Sequence, residues 1–331
     1  GFEKIIGFDM GGTSTDVCHF GGTFERSFET EIAGVRLRAP MMDIHTVASG
    51  GGSILQFRDG RFQVGPGSAG ADPGPACYRR GGPLTVTDCN VMLGKLQPAH
   101  FPPVFGPNGD QPLDADVVRR KFEVLAKEIA AETGEALRSP YELAEGFLRI
   151  AVENMANAIK KISVQRGHDV TRYTLNSFGG AGGQHACLVA ESLGMRSVFL
   201  SPFAGVLSAL GMGLAEIRTI RQHQFQRPLE DLDQASTIIE GLIEDARAEV
   251  RAQGVDDAAM KVLRHAHLRY SGSHRTLSVN LDTREAMRAA FEISHRAQFG
   301  FSSENQDLII DKLDVEVVGS TDRVQIPLLD S

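Results

Sequence analysis

Short apolar runs bounded by glycine dominate the first part of the chain, and apolar positions at helical spacing dominate the middle. EKIIGFD is an apolar run closing on Asp9 and predicts a strand. DVCHFGGTFERSFETEI reads as two strands around a Gly21-Gly22 turn. ILQFRDGRFQVG predicts a hairpin, with Asp59-Gly60 supplying the positive φ of a tight turn. Residues 65–83, GPGSAGADPGPACYRRGGP, read as a long Gly/Pro-rich loop, a kind of segment that is functional or disordered when it has no structure of its own.

Helical patterns follow. Residues 114–133 carry apolar positions at helical spacing. SPYELAEGFLRIAVENMANAIKKISVQRG is the clearest helix: Ser139 caps it, Pro140 suits its first turn, and Glu142 completes a capping box. Leu143, Phe147, Ile150, Ala151, Ala158, Ile159 and Ile162 share one broad face, and Gly167 is the expected stop. YTLNSF then predicts a strand, GGAGGQ a turn, and His185 the start of a helix. RSVFL and GVLSALGMGLAEI repeat the strand-then-helix order, so residues 1–230 are expected to form an α/β domain. Residues 231–331, with a charged helix (231–253), two strands, a helix (283–298) and a last strand, are expected to form a small α+β lobe.

Composition narrows the function class. The 331 residues carry a net charge of −8 with acids and bases well mixed, and without a basic block nucleic acid is not an expected partner. No apolar run approaches the length of a membrane span. Cys18, Cys77, Cys89 and Cys187 are far apart and form no CxxC pair, which fits reduced thiols in a cytoplasmic protein.

The glycines are clustered, and the clusters carry the candidate chemistry. A P-loop is absent. GxGxxG occurs at Gly65–Gly70, but it contains Pro66 and no helix pattern follows, so it reads poorly as a dinucleotide site. The opening stretch is different. An apolar strand delivers Asp9, Gly11 and Gly12 turn, Thr13, Ser14 and Thr15 present hydroxyls, and Asp16 leads into the next strand. Two residues without Cβ let backbone N–H groups approach an anion and form a nest for phosphate. Asp9 would repel that phosphate unless it holds Mg²⁺. The bland alternative is a plain hairpin turn. Gly179, Gly180, Gly182 and Gly183 lie between a strand and a helix, where such a turn can pass under a ribose or ring, or simply pack the two elements closely. A phosphate hairpin and a later adenosine turn together are the arrangement of an actin-like ATPase.

Several other residues have two readings each. Asp43 and His45 stand two apart on a predicted strand and can share a face toward a cleft, or form a structural polar pair. His185 can donate to phosphate at a helix start, or cap and pack that helix. Asp88 reads as a helix cap or a substrate contact. Arg79 and Arg80 are surface arginines or carboxylate binders. His265 and His267 form an HxH pair without an evident third ligand. Cys187 has no base partner that would make it a nucleophile.

GFDMGGTSTDV, DIHTVASGGGSI, VGPGSAGADPGPACYRRGGPLTVTDCNVMLGKL, FGGAGGQHACLVAESLGM and SALGMGLA together resemble the hydantoinase/5-oxoprolinase family, most nearly its ATP-dependent 5-oxoprolinases. The resemblance runs through residues 7–213; LRYSGSHRTLSV and HRAQFGF look like the family's closing lobe. It implies an actin-like ATPase (ribonuclease H-like) half-clamshell with a small α+β lobe. It implies ATP and Mg²⁺, with Asp9 holding the metal, Asp16 orienting the hairpin or a water, and Asp43 and His185 assisting. Gly11, Gly12 and the hydroxyls at 13–15 would face the phosphates, and Gly179–Gly183 the adenosine. The implied reaction opens a cyclic amide, 5-oxoproline or a hydantoin, by phosphorylating the lactam oxygen. A nucleotide-dependent scaffold or regulatory subunit of an amidohydrolase or carboxylase is the alternative. The family pattern has an earlier phosphate hairpin, so the chain is expected to be a fragment lacking that N-terminal region. It is also expected to be inactive alone, to work with a B-type hydrolase subunit or fused domain, and to be a homo-oligomer. His45 departs from the family pattern, which often has Asn there.

Overall fold

A computed structural model of the chain describes residues 2–22, 24–27, 30–32, 35–37, 41–303 and 306–319. Two compact units are present, Gly1–Ser208 and Ala209–Ser331. In the first, the strands are β1 (Ile5–Met10), β2 (Thr15–Phe20), four short pieces β3 (Arg26–Ser27), β4 (Thr30–Ile32), β5 (Val35–Leu37) and β6 (Met41–Met42), then β7 (Ile44–Val47), β8 (Ser53–Arg58) and β9 (Arg61–Ser68). Helices α1 (Val86–Met92), α2 (Ala115–Thr133) and α3 (Pro140–Ile162) follow, then β10 (Thr174–Phe178), α4 (Ala186–Ser192) and β11 (Ser197–Leu200). Helix α5 (Leu207–Gly213) starts at the end of this unit and runs past Ser208.

The main sheet has the order β11-β10-β1-β2-β7. β1 pairs parallel with β10, and β10 with β11, whereas β1–β2 and β2–β7 are antiparallel. Alternation along β1 decides which face is core. Ile6, Phe8 and Met10 are fully buried, as is Val17 on β2. They join one apolar cluster with Ala151, Met155 and Ile159 of α3. Gly7 and Asp9 point the other way, opposite Cys18 and Asp16 in register. A side chain at position 7 would meet the Cys18 Sγ at 2.5 Å, so only glycine fits there. α3 begins with the expected capping box, in which the Glu142 carboxylate accepts from the Ser139 N–H at 2.7 Å. It ends at Ile162; Gly167, with φ of 84°, closes the short 3₁₀ turn that follows.

The Asp59-Gly60 hairpin joins β8 to β9 with both turn residues at positive φ. The segment read as an unstructured loop from residue 65 is part strand, because β9 continues to Ser68. Gly65 and Gly67 therefore lie within a strand, which removes the GxGxxG reading: a dinucleotide loop needs a strand-to-helix turn. Asp88 anchors the remainder. It is fully buried and accepts from the N–H groups of Ala76, Cys77 and Thr85 at 2.8–3.0 Å. Burial pushes its carboxyl above the usual range against those hydrogen bonds. Asp88 thus caps α1 and holds the loop. Of the strand pair read around Gly21-Gly22, β2 is present and Phe20 bridges Phe24; Thr23, Phe28 and Glu29 lie outside the described residues.

The second unit holds a four-stranded antiparallel sheet, β12 (Ile217–Pro228), β15 (Leu308–Gly319), β13 (Met260–Tyr270) and β14 (Leu277–Asn280) in that order, with helices α6 (Ser236–Ala252) and α7 (Arg284–Phe299). The division falls at Ser208/Ala209 instead of the 230/231 boundary expected from composition. β12 is the reason: it pairs along most of its length with β15, so it belongs to the second sheet. His265 and His267 on β13 both reach Asp314 of β15, the former at 3.4 Å. Burial raises that carboxyl, but the two histidines outweigh it and hold Asp314 at about 2. Because the folded pKa lies below the ordinary value, the stabilisation is complete above about pH 4 and disappears as pH falls through 2. Asp314→Asn should therefore remove on the order of 2 kcal/mol of the acid dependence between those limits, read from denaturant unfolding at pH 2 and pH 5.

Candidate nucleotide site

Three glycine segments of the first unit converge on the β1–β2 turn. The first is the turn itself, in which Gly11 N–H donates to Ser14 C=O at 3.1 Å. The amides of Gly12 and Thr13 donate to no backbone acceptor among the described residues. The second is Gly50–Gly52. Gly51 N–H donates to Gly11 C=O at 3.1 Å, and Gly52 N–H to Gly12 C=O at 2.6 Å. A Cβ on Gly50 would stand 2.6 Å from the Thr13 carbonyl carbon, so the approach requires glycine. The third is the Gly179–Gly183 turn, where Ala181 N–H donates to Met10 C=O at 3.0 Å. Gly179, with φ of 82°, lies against Asp9 and the Met10 carbonyl. By contrast, Gly11, Gly12 and Gly180 have open space where a Cβ would be. The turn is exposed on that side and framed by backbone.

Thr87 at the start of α1 fixes the second segment, because its hydroxyl and N–H both donate to Gly51 C=O, at 2.9 and 2.8 Å. Thr15 is fully buried and its hydroxyl is spent on Ser49 C=O, so it braces the turn instead of facing a ligand. Thr13 is exposed and Ser14 half-buried.

Asp9 and Asp16 lie directly opposite each other across β1–β2. Like charges so placed repel. Each is held by one hydroxyl: Ser208 Oγ donates to Asp9 at 2.9 Å, and Thr46 Oγ1 donates to Asp16 at 2.5 Å. Two carboxylates beside amides without a backbone acceptor among the described residues would suit a hard divalent cation together with an anion.

Asp43 and His185 are not brought to this turn. Asp43 follows from the far end of the β2–β7 pairing and is ion-paired with Arg166, beside Glu25. His45 is half-buried, and burial and Lys161 lower its pKa. His185, at the start of α4, is fully buried; its Nε2 lies 3.1 Å from Asn90 Nδ2, and its Nδ1 has no partner among the described residues. Burial, reinforced by Lys95, lowers it to about 4, so it is neutral at pH 7 and packs the helix start without presenting charge to an anion. Arg79 pairs with Asp114 at 2.8 Å, and Arg80 donates to Gly106 C=O at 3.2 Å. In the sequence Gly50–Gly52 stand out only as part of the DIHTVASGGGSI motif; their spacing from the hairpin hides a contact that is long-range. Thr46, Thr87 and Ser208 carried no signal of their own.

The chain belongs to the hydantoinase/oxoprolinase family, whose model matches residues 1–221. It is 40% identical to the 5-oxoprolinase of Dictyostelium discoideum over 95% of this chain and 25% of that protein. The crystal structure of the ATP-dependent caprolactamase from Pseudomonas jessenii matches all of this chain and 48% of its own, with a TM-score of 0.87 and 30% identity. Acetone carboxylase without nucleotide matches with a TM-score of 0.65 at 21% identity, over 99% of this chain and 48% of its own, a likeness of fold alone. The α/β fold, expected from the sequence as that of an actin-like ATPase, is the one shared with these proteins. The chain spans about a quarter of the length of the 5-oxoprolinase and about half that of the caprolactamase.

Gly50→Ala should cost about 1–3 kcal/mol by forcing the second segment off the hairpin, whereas Gly180→Ala should stay within about 0.5 kcal/mol; thermal unfolding distinguishes them. His185 refuses a proton that the unfolded chain accepts below about pH 6.5, so stability should fall on the order of 3 kcal/mol from pH 7 to pH 4 on its account. His185→Gln should flatten that part of the unfolding profile.

Proposed function

We propose that the first unit binds the triphosphate of ATP on the β1–β2 turn and contributes that site to ATP-dependent opening of a cyclic amide. The observation that carries the reading is the pair of amides at Gly12 and Thr13, which have no backbone acceptor among the described residues, framed by two further glycine segments and flanked by Asp9 and Asp16. Family membership and the caprolactamase likeness support the reaction class.

Each residue then has a physical task. Gly11 and Gly12 leave room for phosphate oxygens, and the amides of Gly12 and Thr13 donate to them. The hydroxyls of Thr13 and Ser14 add uncharged donors. Asp9 and Asp16 hold Mg²⁺, which offsets phosphate charge as the phosphoryl group moves. Thr15 and Thr87 keep the frame rigid, so the donors are already oriented when charge develops. Gly179–Gly183, whose one side chain is the Ala181 methyl packed against the core, provide a bed for the adenosine. A five-membered lactam resists water because its amide is resonance-stabilised; transfer of the γ-phosphoryl group to its oxygen, with ADP leaving, makes the ring carbon open to attack. A B-type hydrolase subunit or fused domain completes the hydrolysis, with 5-oxoproline or a hydantoin as ring.

In calorimetric titration the protein should bind MgATP saturably, and Asp9→Asn should weaken that binding at least tenfold. In the full-length protein with its hydrolase partner, Asp9→Ala should lower ATP-dependent ring opening by at least about a hundredfold. Unchanged turnover in that variant removes the β1–β2 turn from the site; ATP hydrolysis without ring opening in the wild type favours a nucleotide-driven scaffold.

A further inference from the structure

We propose that His19, Glu25 and His168 form a second metal site, of the zinc type, at the end of β2 away from the glycine turn. His19 Nδ1 lies 2.9 Å from Glu25 Oε1, and His168 Nε2 lies 2.8 Å from the same oxygen. One donor atom from each residue falls within 4.8 Å of the others. The two imidazoles stack with centroids 4.0 Å apart and planes inclined by 16°, and each brings a nitrogen to the same Glu25 oxygen. His19 is 5% exposed, and although its Nδ1 is close to the carboxylate it makes no hydrogen bond of acceptable geometry among the described residues. A buried ring nitrogen left in that condition calls for a partner.

The surroundings have the features that orient metal ligands. The other nitrogen of His19 lies 2.8 Å from the Tyr173 hydroxyl, which fixes the ring with Nδ1 toward the cluster. Arg166 holds the second oxygen of Glu25 and also pairs with Asp43. With neutral imidazoles, Glu25, Asp43 and Arg166 sum to one negative charge, which attracts a dication. Two imidazoles and one carboxylate suit Zn²⁺ better than the oxygen-seeking Mg²⁺ or Ca²⁺. In a tetrahedral zinc site the donor atoms stand about 3.4 Å apart, so Glu25 Oε1 would draw back slightly from the two imidazole nitrogens that now lie 2.9 and 2.8 Å from it. Glu25 and His168 are each about one-third exposed, enough to allow that shift and to leave the fourth position to water. The ligands come from a strand, from the segment after it and from the turn after α3, so an ion there ties three distant parts of the chain together.

The test is titration of chelator-treated protein with Co²⁺, whose tetrahedral complexes absorb visibly, followed by displacement with Zn²⁺. One equivalent should bind with d–d bands and without the near-ultraviolet charge-transfer band of a thiolate, which separates this site from Cys18 or Cys187. Glu25→Gln and His168→Ala should each weaken binding more than tenfold, and Tyr173→Phe by about 10–100-fold through loss of ring orientation. His265→Ala should leave it unchanged. Circular dichroism of each variant checks the fold. Absence of d–d bands and of calorimetric heat in the wild type overturns the proposal and leaves a metal-free ion-pair network, as does unchanged affinity in folded Glu25→Gln and His168→Ala.

Discussion

The carbonyls of Gly11 and Gly12 are taken up by the amides of Gly51 and Gly52, and the rest of the first unit is arranged to permit that contact. Backbone can approach backbone this closely only where no Cβ intervenes, and at Gly50 the available gap is 2.6 Å. The partner segment is held from behind by Thr87, and Thr87 stands on a helix whose first turn is capped by the buried Asp88. Asp88 in turn secures the loop around Ala76 and Cys77. One line of hydrogen bonds therefore runs from a buried carboxylate to the exposed turn. Rigidity in the turn is inherited from the core, which is how preorganised donors are obtained at a surface.

The apolar face of the sheet supplies the other half of that support. Ile6, Phe8 and Met10 alternate with Gly7 and Asp9, so burying the first set commits the second to the opposite face. A slip of one residue in register would bury Asp9 and expose the phenylalanine. The position of Asp9 is thus set by the hydrophobic effect acting on its neighbours, and the repulsion from Asp16 is carried by a structure stabilised elsewhere.

Local signals were legible in the sequence. The cap at Ser139, the Asp59-Gly60 turn and the strand ending near Asp9 all depend on residues adjacent in the chain, and all stand in the structure. The pairing of the hairpin with the Gly179–Gly183 turn was also within reach, because parallel β1 and β10 carry them side by side. Long-range partners were not. Arg166 claims Asp43 across 123 positions, and no local pattern announces that. Burial was equally hidden: a histidine at a helix start reads as a donor until packing shows it enclosed, as His185 is. The place of β12 was hidden in the same way, since its composition does not reveal that its partner is β15.

The cradle around the hairpin is made almost wholly of main chain, and main chain is blind to what lies beyond the phosphates. Nothing in Gly11, Gly12, Gly50–Gly52 or Gly180 can tell one ring from another. If this frame holds triphosphate as proposed, discrimination among cyclic amides would reside in side chains outside it, and those would be free to drift while the glycine frame stays put. A lineage built on such a frame could exchange one ring for another without rebuilding the proposed triphosphate site, so its chemistry would diversify at the periphery of an unchanging centre.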